Sequence, residues 1–191
     1  DNMKQIVDTI IENAKLWEVS NSQNCYKNCS VIIDQGKILA IENSEDLFHK
    51  YEAAQRWDAC GKVLFPGFIN THCHLFQTFI RGLGKDLPFI GWMNNSVRLM
   101  MPEMDEEAVY LAAMVGCMEA IRSGTTTLLD FMYATVRPQL ADAVLQAFDE
   151  IGIRGILARG LTDVPLLPGS SVPPSTGAPV AKSIQDHDRL R

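Results

Sequence analysis

The first 64 residues alternate apolar and polar positions over short stretches, as β-strands do. Residues 6–17 follow this pattern, and Asn13 and Ala14 interrupt it, which predicts either two short strands or one strand with a bulge. Residues 30–41 contain two apolar runs around a glycine-containing turn, which predicts a β-hairpin. Residues 44–51 favour a short helix whose first residue, a serine, is the N-cap. This part of the chain is therefore predicted to form a small β region.

From residue 65 onward, short apolar runs alternate with longer segments of helical periodicity. Such an alternation predicts parallel strands joined by right-handed crossovers, which is an α/β architecture and the start of an eightfold β/α barrel. Three strands and two helices are predicted, the strands at residues 65–74, 125–131 and 153–160, and the helices between Asp105 and Gly124 and between Pro138 and Gly152.

The end of the chain differs in composition from the part before it. Residues 164–180 are rich in proline, glycine and serine, which predicts a loop. The final residues, 181–191, are expected to begin the next helix. The organisation predicted from the pattern is a β region over residues 1–64 and three β/α units over residues 65–191.

Composition and charge narrow the classes of function. The 191 residues are 47% hydrophobic and 21% charged, with a net charge of -6, which argues against a basic surface for nucleic acid or anionic membranes. No apolar run approaches the roughly 20 residues of a membrane span. The five cysteines form no paired framework, so we expect reduced thiols and a cytoplasmic protein.

The candidate chemistry lies at the end of the first predicted barrel strand. His72 and His74 flank Cys73, and side chains of a strand alternate between its faces, so the two imidazoles should point the same way. Two imidazoles at a strand end can share one divalent metal ion. The alternative is a pair of surface histidines near a turn. The apolar lead-in and the polar segment that follows favour the metal site.

Residues 63–74, VLFPGFINTHCH, resemble the first barrel strand of the amidohydrolase superfamily, and residues 123–127, SGTTT, resemble the entry to its second strand. Gln77, Arg81 and Trp92 also match the branch that contains aminohydrolases and chlorohydrolases of nitrogen heterocycles, such as guanine, 8-oxoguanine and adenosylhomocysteine deaminases and the atrazine-degrading enzymes. The resemblance extends over residues 6–163. It implies a metal-dependent TIM (β/α)8 barrel and assigns residues 1–64 to part of a small β-sandwich.

The resemblance implies a hydrolase of non-peptide carbon–nitrogen bonds. In that branch, metal-activated water attacks a ring carbon that bears an amino or halide group. The resemblance carries His72 and His74 over as metal ligands, with zinc preferred to iron, and favours Gln77 as a substrate contact. Trp92 either forms an aromatic wall for the substrate or packs the loop, and Arg81 either contacts the substrate or braces the loop through an ion pair.

Only the first two ligands of the family's metal site occur in these residues, and no acid/base residue can be assigned. We therefore expect the chain to be the N-terminal portion of an aminohydrolase that is inactive by itself and is completed by the remainder of the barrel or by oligomerisation. The rival hypothesis is a non-catalytic assembly partner, in which a second chain pairs with the open strand edge. The substrate in the first case is a small heterocycle such as a purine or triazine.

Overall fold

A computed structural model of the chain describes residues 3–17, 25–134, 137–161 and 180–190. The chain divides into two compact units, residues 1–66 and residues 67–191. Most of the predicted loop at residues 164–180 lies outside the described residues. Its last residue, Val180, begins a helix.

The first unit is a five-stranded sheet. Strand β1 is central, since it pairs with β2 in antiparallel orientation and with β4 and β5 in parallel orientation, while β3 adds to β2. Apolar side chains from β1 and β2 and from the helical turn after β3 form its core. The strands are β1 (Gln5–Trp17), β2 (Cys25–Asp34), β3 (Lys37–Asn43), β4 (Tyr51–Asp58) and β5 (Val63–Leu64).

Local signals in this unit were largely predictive. Strand β1 is continuous, with an irregular register between Ile11 and Ala14 and a positive φ of 58° at Asn13, which confirms the bulged alternative. The β2–β3 hairpin turns through residues 35 and 36, both with positive φ. The predicted helix is a 3-10 helix, Ser44–His49, and its N-cap is Asn43 rather than Ser44. Ser44 is buried, and its hydroxyl is hydrogen-bonded to Ser30 at 2.7 Å instead.

The second unit alternates strands and helices. Its sheet has the order β6-β7-β8 and is parallel throughout, and its helices pack on one face of that sheet, so the predicted α/β architecture is confirmed. The elements are β6 (Phe68–Cys73), a 3-10 helix (Leu75–Ile80), α1 (Phe89–Asn95), α2 (Val97–Met100), a 3-10 turn (Met101–Glu103), α3 (Glu106–Arg122), β7 (Thr125–Met132), α4 (Gln139–Ile151), β8 (Arg154–Arg159) and α5 (Val180–Arg189).

Helices α3 and α4 begin and end where local chemistry predicts. Asp105 caps α3 by accepting a hydrogen bond from the backbone N–H of Ala108 at 2.8 Å. Helix α4 follows Pro138 and ends at Gly152, which has a φ of 74°. None of the helices within the described residues combines the length and the apolar character needed to span a bilayer.

The sequence of residues 65–74 is typical of a buried strand, but this expectation is wrong for all of β6, in which four residues are exposed and two are half-buried. Phe68 is 58% exposed and Ile69 is 68% exposed. Strand β6 is an edge strand of the described sheet, since it pairs only with β7, and the helices cover one face of that sheet. An apolar run predicts a strand but cannot say how many neighbours that strand has.

Candidate functional site

The predicted histidine pair lies at the carboxyl end of β6. The strand ends at Cys73, and His74 is the residue that precedes the 3-10 helix Leu75–Ile80. The register between β6 and β7 shifts between Asn70 and Cys73, so β6 is irregular just before the pair. The Asn70 side chain stabilises this irregularity by accepting a hydrogen bond from the backbone N–H of His72 at 3.0 Å. A local asparagine turn thus positions the first histidine.

The two imidazoles lie together and apart from Cys73. Their ring centroids are 5.1 Å apart, with the rings close to perpendicular. Cys73 is opposite Asp130 in the β6–β7 ladder and packs against the buried core, where burial raises the pKa of its thiol. His72 is exposed and His74 is half-buried, so a ligand can reach the pair.

A backbone carbonyl orients the second imidazole. His74 Nδ1 lies 2.9 Å from the carbonyl oxygen of Phe131 on β7. A carbonyl only accepts hydrogen bonds, so Nδ1 carries the proton in the neutral ring and Nε2 keeps its lone pair. Metal-binding histidines in proteins almost always have such a partner on the other nitrogen. The donor chemistry of His74 therefore suits a metal ion.

Asp130 is a fully buried carboxyl beneath the histidine pair, with 0% of its surface exposed. Its Oδ1 accepts a hydrogen bond from the backbone N–H of Leu75 at 2.7 Å. Asp130 therefore caps the turn that follows β6 and not the turn after its own strand. Burial raises the pKa of Asp130 to about 6, and the hydrogen bond from Leu75 opposes that rise.

Tyr133 is a site residue that sequence reasoning missed. Its ring lies edge-on to His74, with centroids 5.2 Å apart, and its hydroxyl accepts a hydrogen bond from Gln77 Nε2. Burial raises the pKa of Tyr133 to about 12. The available signal was its position one residue beyond β7, since residues just past barrel strands face the site of such folds.

The other predicted substrate residues are held by local partners. Arg81 forms a two-point ion pair with Glu119 of α3, at 2.6 and 2.5 Å, on the exposed surface. Trp92 is half-buried, packs against the core of the second unit and lies against Phe89 with ring centroids 6.1 Å apart. The geometry thus gives Arg81 a bracing contact and Trp92 a packing contact.

A cleft of about 540 Å³ lies beside β6, and three of the predicted site residues line it: His74, Gln77 and Arg81. His72 and Trp92 are not among its lining residues. Within the described parts of the chain, no three histidine, cysteine or carboxylate side chains are grouped so that they could hold a metal ion. The pair therefore supplies two ligands, whereas catalytic zinc sites usually take three from protein.

Comparison with known proteins points to one family. The chain is 37% identical over 138 residues to the 5'-deoxyadenosine deaminase of Methanocaldococcus jannaschii. The aligned segment covers 72% of this chain and 31% of that protein. It is 32% identical over 155 residues to the 5-methylthioadenosine/S-adenosylhomocysteine deaminase of Symbiobacterium thermophilum. This alignment covers 81% of this chain and 34% of that protein. The chain thus spans about a third of the length of these curated relatives.

A solved structure shows the same fold. The crystal structure of an adenosine deaminase from Xanthomonas campestris with bound zinc superposes with a TM-score of 0.77 at 21% identity, and the match covers 99% of this chain and 41% of the other. The amidohydrolase family matches residues 63–189, which is 127 of the 191 residues and includes the histidine pair. This chain belongs to the amidohydrolase family.

Proposed function

We propose that the protein containing these residues hydrolyses a carbon–nitrogen bond on an aminopurine-like heterocycle and releases ammonia. The observation that carries the proposal is the oriented histidine pair, with rings 5.1 Å apart and His74 fixed through Nδ1. Relatives named as deaminases of 5'-deoxyadenosine and S-adenosylhomocysteine support the choice of an amino-substituted purine. The adenine ring of these compounds bears an exocyclic amino group, which is the group that hydrolysis releases as ammonia.

His72 and His74 are the residues that would hold a divalent metal, and zinc is our proposed ion because the structural relative from Xanthomonas campestris has zinc bound. When bound, such an ion lowers the pKa of a coordinated water from ~15.7 toward about 7 and so supplies hydroxide at neutral pH. The two histidines of this chain must be neutral to bind it, and the Phe131 carbonyl favours the required tautomer of His74.

Three further residues have proposed roles around the heterocycle. Gln77 contacts the amide-like edge of the ring, because Tyr133 fixes one of its amide N–H groups and leaves its carbonyl oxygen to accept from the substrate. Trp92, on helix α1, offers an aromatic surface to the heterocycle. For Arg81 we propose the bracing role, since its guanidinium already binds both oxygens of Glu119.

Metal removal and histidine substitution test the proposal. In the natural gene product that carries these residues, chelation should abolish ammonia release from 5'-deoxyadenosine and from S-adenosylhomocysteine, and added Zn²⁺ should restore it. His72→Ala and His74→Ala should lose activity and metal together. His187→Ala is the matched control, because His187 is an exposed histidine of the same unit. Ammonia release that survives complete metal removal would refute the proposal.

A second candidate, an assembly partner without catalysis, is favoured by the exposed apolar side chains on the edge strands. Phe68 and Ile69 of β6 and Ile156 of β8 are each more than half exposed. Exposed edges of this kind can pair with another chain. Light scattering coupled to size exclusion tests this candidate, because a stable monomer excludes pairing between copies through these edges. The free thiols of Cys60, Cys73 and Cys117 support our proposal of a cytoplasmic location.

A further inference from the structure

Two consecutive residues of β7 hold the two residues that directly follow β6. The Asp130 side chain binds the backbone N–H of Leu75 at 2.7 Å, and the Phe131 carbonyl binds His74 Nδ1 at 2.9 Å. The partners are separated by 55 and 57 positions in the sequence. We call this pair of contacts, residues 130 and 131 on residues 74 and 75, the cross-strand clamp.

The turn after His74 needs a partner from elsewhere in the fold. His74 occupies the N-cap position of the 3-10 helix Leu75–Ile80, but its side chain makes no capping hydrogen bond. The backbone N–H groups in the first turn of a helix have no partner within the helix. Leu75 is only 2% exposed, so water cannot readily satisfy its N–H. Asp130 therefore replaces the missing N-cap.

The placement of Asp130 follows from the β6–β7 register. Cys73 and Asp130 are opposite each other in the ladder, on the side of the sheet that the helices cover. Oδ2 of Asp130 is also buried and has no hydrogen-bond partner among the described residues. Burying a carboxyl with only one oxygen hydrogen-bonded costs free energy. A folded protein that keeps such a group is therefore expected to need the one hydrogen bond that it makes. The contact it makes is with the residue next to His74.

We propose that Asp130 is a positioning residue for the histidine pair: by capping the turn at Leu75 it fixes the backbone of His74 and so holds the His74 imidazole against the Phe131 carbonyl. Nε2 of His74 is then the nitrogen left to bind a metal ion. The part that concerns the metal rests on the proposed function. The part that concerns the ring orientation rests on the clamp alone.

The test reads the tautomer of His74 and the metal affinity in separate experiments. Asp130→Asn keeps an oxygen at the position of Oδ1, whereas Asp130→Leu removes the acceptor at similar volume, and Asp130→Ala is a second acceptor-free variant. Long-range ¹H–¹⁵N spectra at about pH 8.5, above the ~6.5 at which free histidine titrates, report which ring nitrogen carries the proton. The parent chain and Asp130→Asn should show the Nδ1–H form of His74, and the Leu and Ala variants should show a mixture.

Zn²⁺ titration gives the second readout. Loss of an outer partner of a metal ligand typically lowers affinity ~10–100-fold, so we expect a fall of about 10-fold or more for Asp130→Leu and within about threefold for Asp130→Asn. The control is Ser96→Ala, which removes a buried hydrogen bond to the Trp92 carbonyl in the same unit without touching the clamp.

The outcomes separate this inference from the proposed function. An unchanged His74 tautomer in Asp130→Leu and Asp130→Ala would overturn the inference, as would an equal effect of Ser96→Ala on tautomer and affinity. If the parent chain binds Zn²⁺ no better than His72→Ala, the metal site of the proposed function fails, and the tautomer spectra still decide the role of Asp130.

Discussion

Replacing Asp130 with asparagine should remove a pH-dependent cost from the stability of the second unit. The carboxyl is fully buried, and burial raises its pKa from the ordinary 3.8 to about 6. Between these values the folded chain keeps the proton while the unfolded chain releases it. Because the unfolded state then binds fewer protons, the free energy of unfolding falls as the pH rises through this window.

The size of the effect follows from the two pKa values. They differ by about 2 pH units, and each unit corresponds to about 1.4 kcal/mol, so the cost of ionising Asp130 is about 3 kcal/mol. The cost is absent below about pH 3, where both states are protonated, and complete above about pH 7. Relative to Asp130→Asn, the parent chain should therefore lose about 3 kcal/mol across that range.

Urea denaturation in the presence of a chelator measures this difference. Trp92 is the one tryptophan of residues 67–191, so replacing Trp17 and Trp57 with phenylalanine gives a fluorescence signal from the second unit alone. The asparagine variant keeps an acceptor for Leu75, and any constant offset from its amide cancels in the pH dependence. Ser96→Ala is the uncharged control.

A difference between the parent and Asp130→Asn that stays constant from about pH 4 to pH 7 would refute the reasoning, and so would one that favours the parent as the pH rises. Either result would mean that Asp130 is solvated or paired in the folded chain. The first result would also show that burying the Asp130 carboxyl costs little free energy, which would weaken the case for Asp130 as a positioning residue for His74.

Two further predictions concern packing and thiol chemistry. A Cβ added to Gly155 would lie 1.9 Å from Cδ2 of Phe148. Gly155→Ala should therefore lower the free energy of unfolding by about 1–3 kcal/mol in urea titrations. An unchanged midpoint would contradict the packing of β8 on α4. Cys117 is fully buried, and burial raises the pKa of its thiol to about 12. When the native protein is treated with an alkylating reagent at about pH 8, peptide mass mapping should find exposed Cys60 modified and Cys117 unmodified. Modification of Cys117 would show that α3 opens.

Local features of the structure could be predicted because local chemistry decides them. The cap at Asp105 depends on residues within one helical turn, and the end of α4 depends on Gly152 alone. The single wrong cap in the first unit, Ser44, failed because a distant serine hydroxyl competes for that side chain. The capping preference of a residue type reflects only the residues next to it in sequence, so it cannot account for a hydrogen bond to a residue 14 positions away.

The sequence by itself determined the alternation of strands and helices, the family and the position of His72 and His74 at a strand end. Only the tertiary structure decided that Asp130 serves the turn after β6, because this depends on the β6–β7 register and its shift near Asn70. The same holds for Tyr133 beside His74. Side-chain periodicity is set by neighbours a few residues away, whereas these contacts join positions more than 50 residues apart, and only the pairing of the strands brings them together.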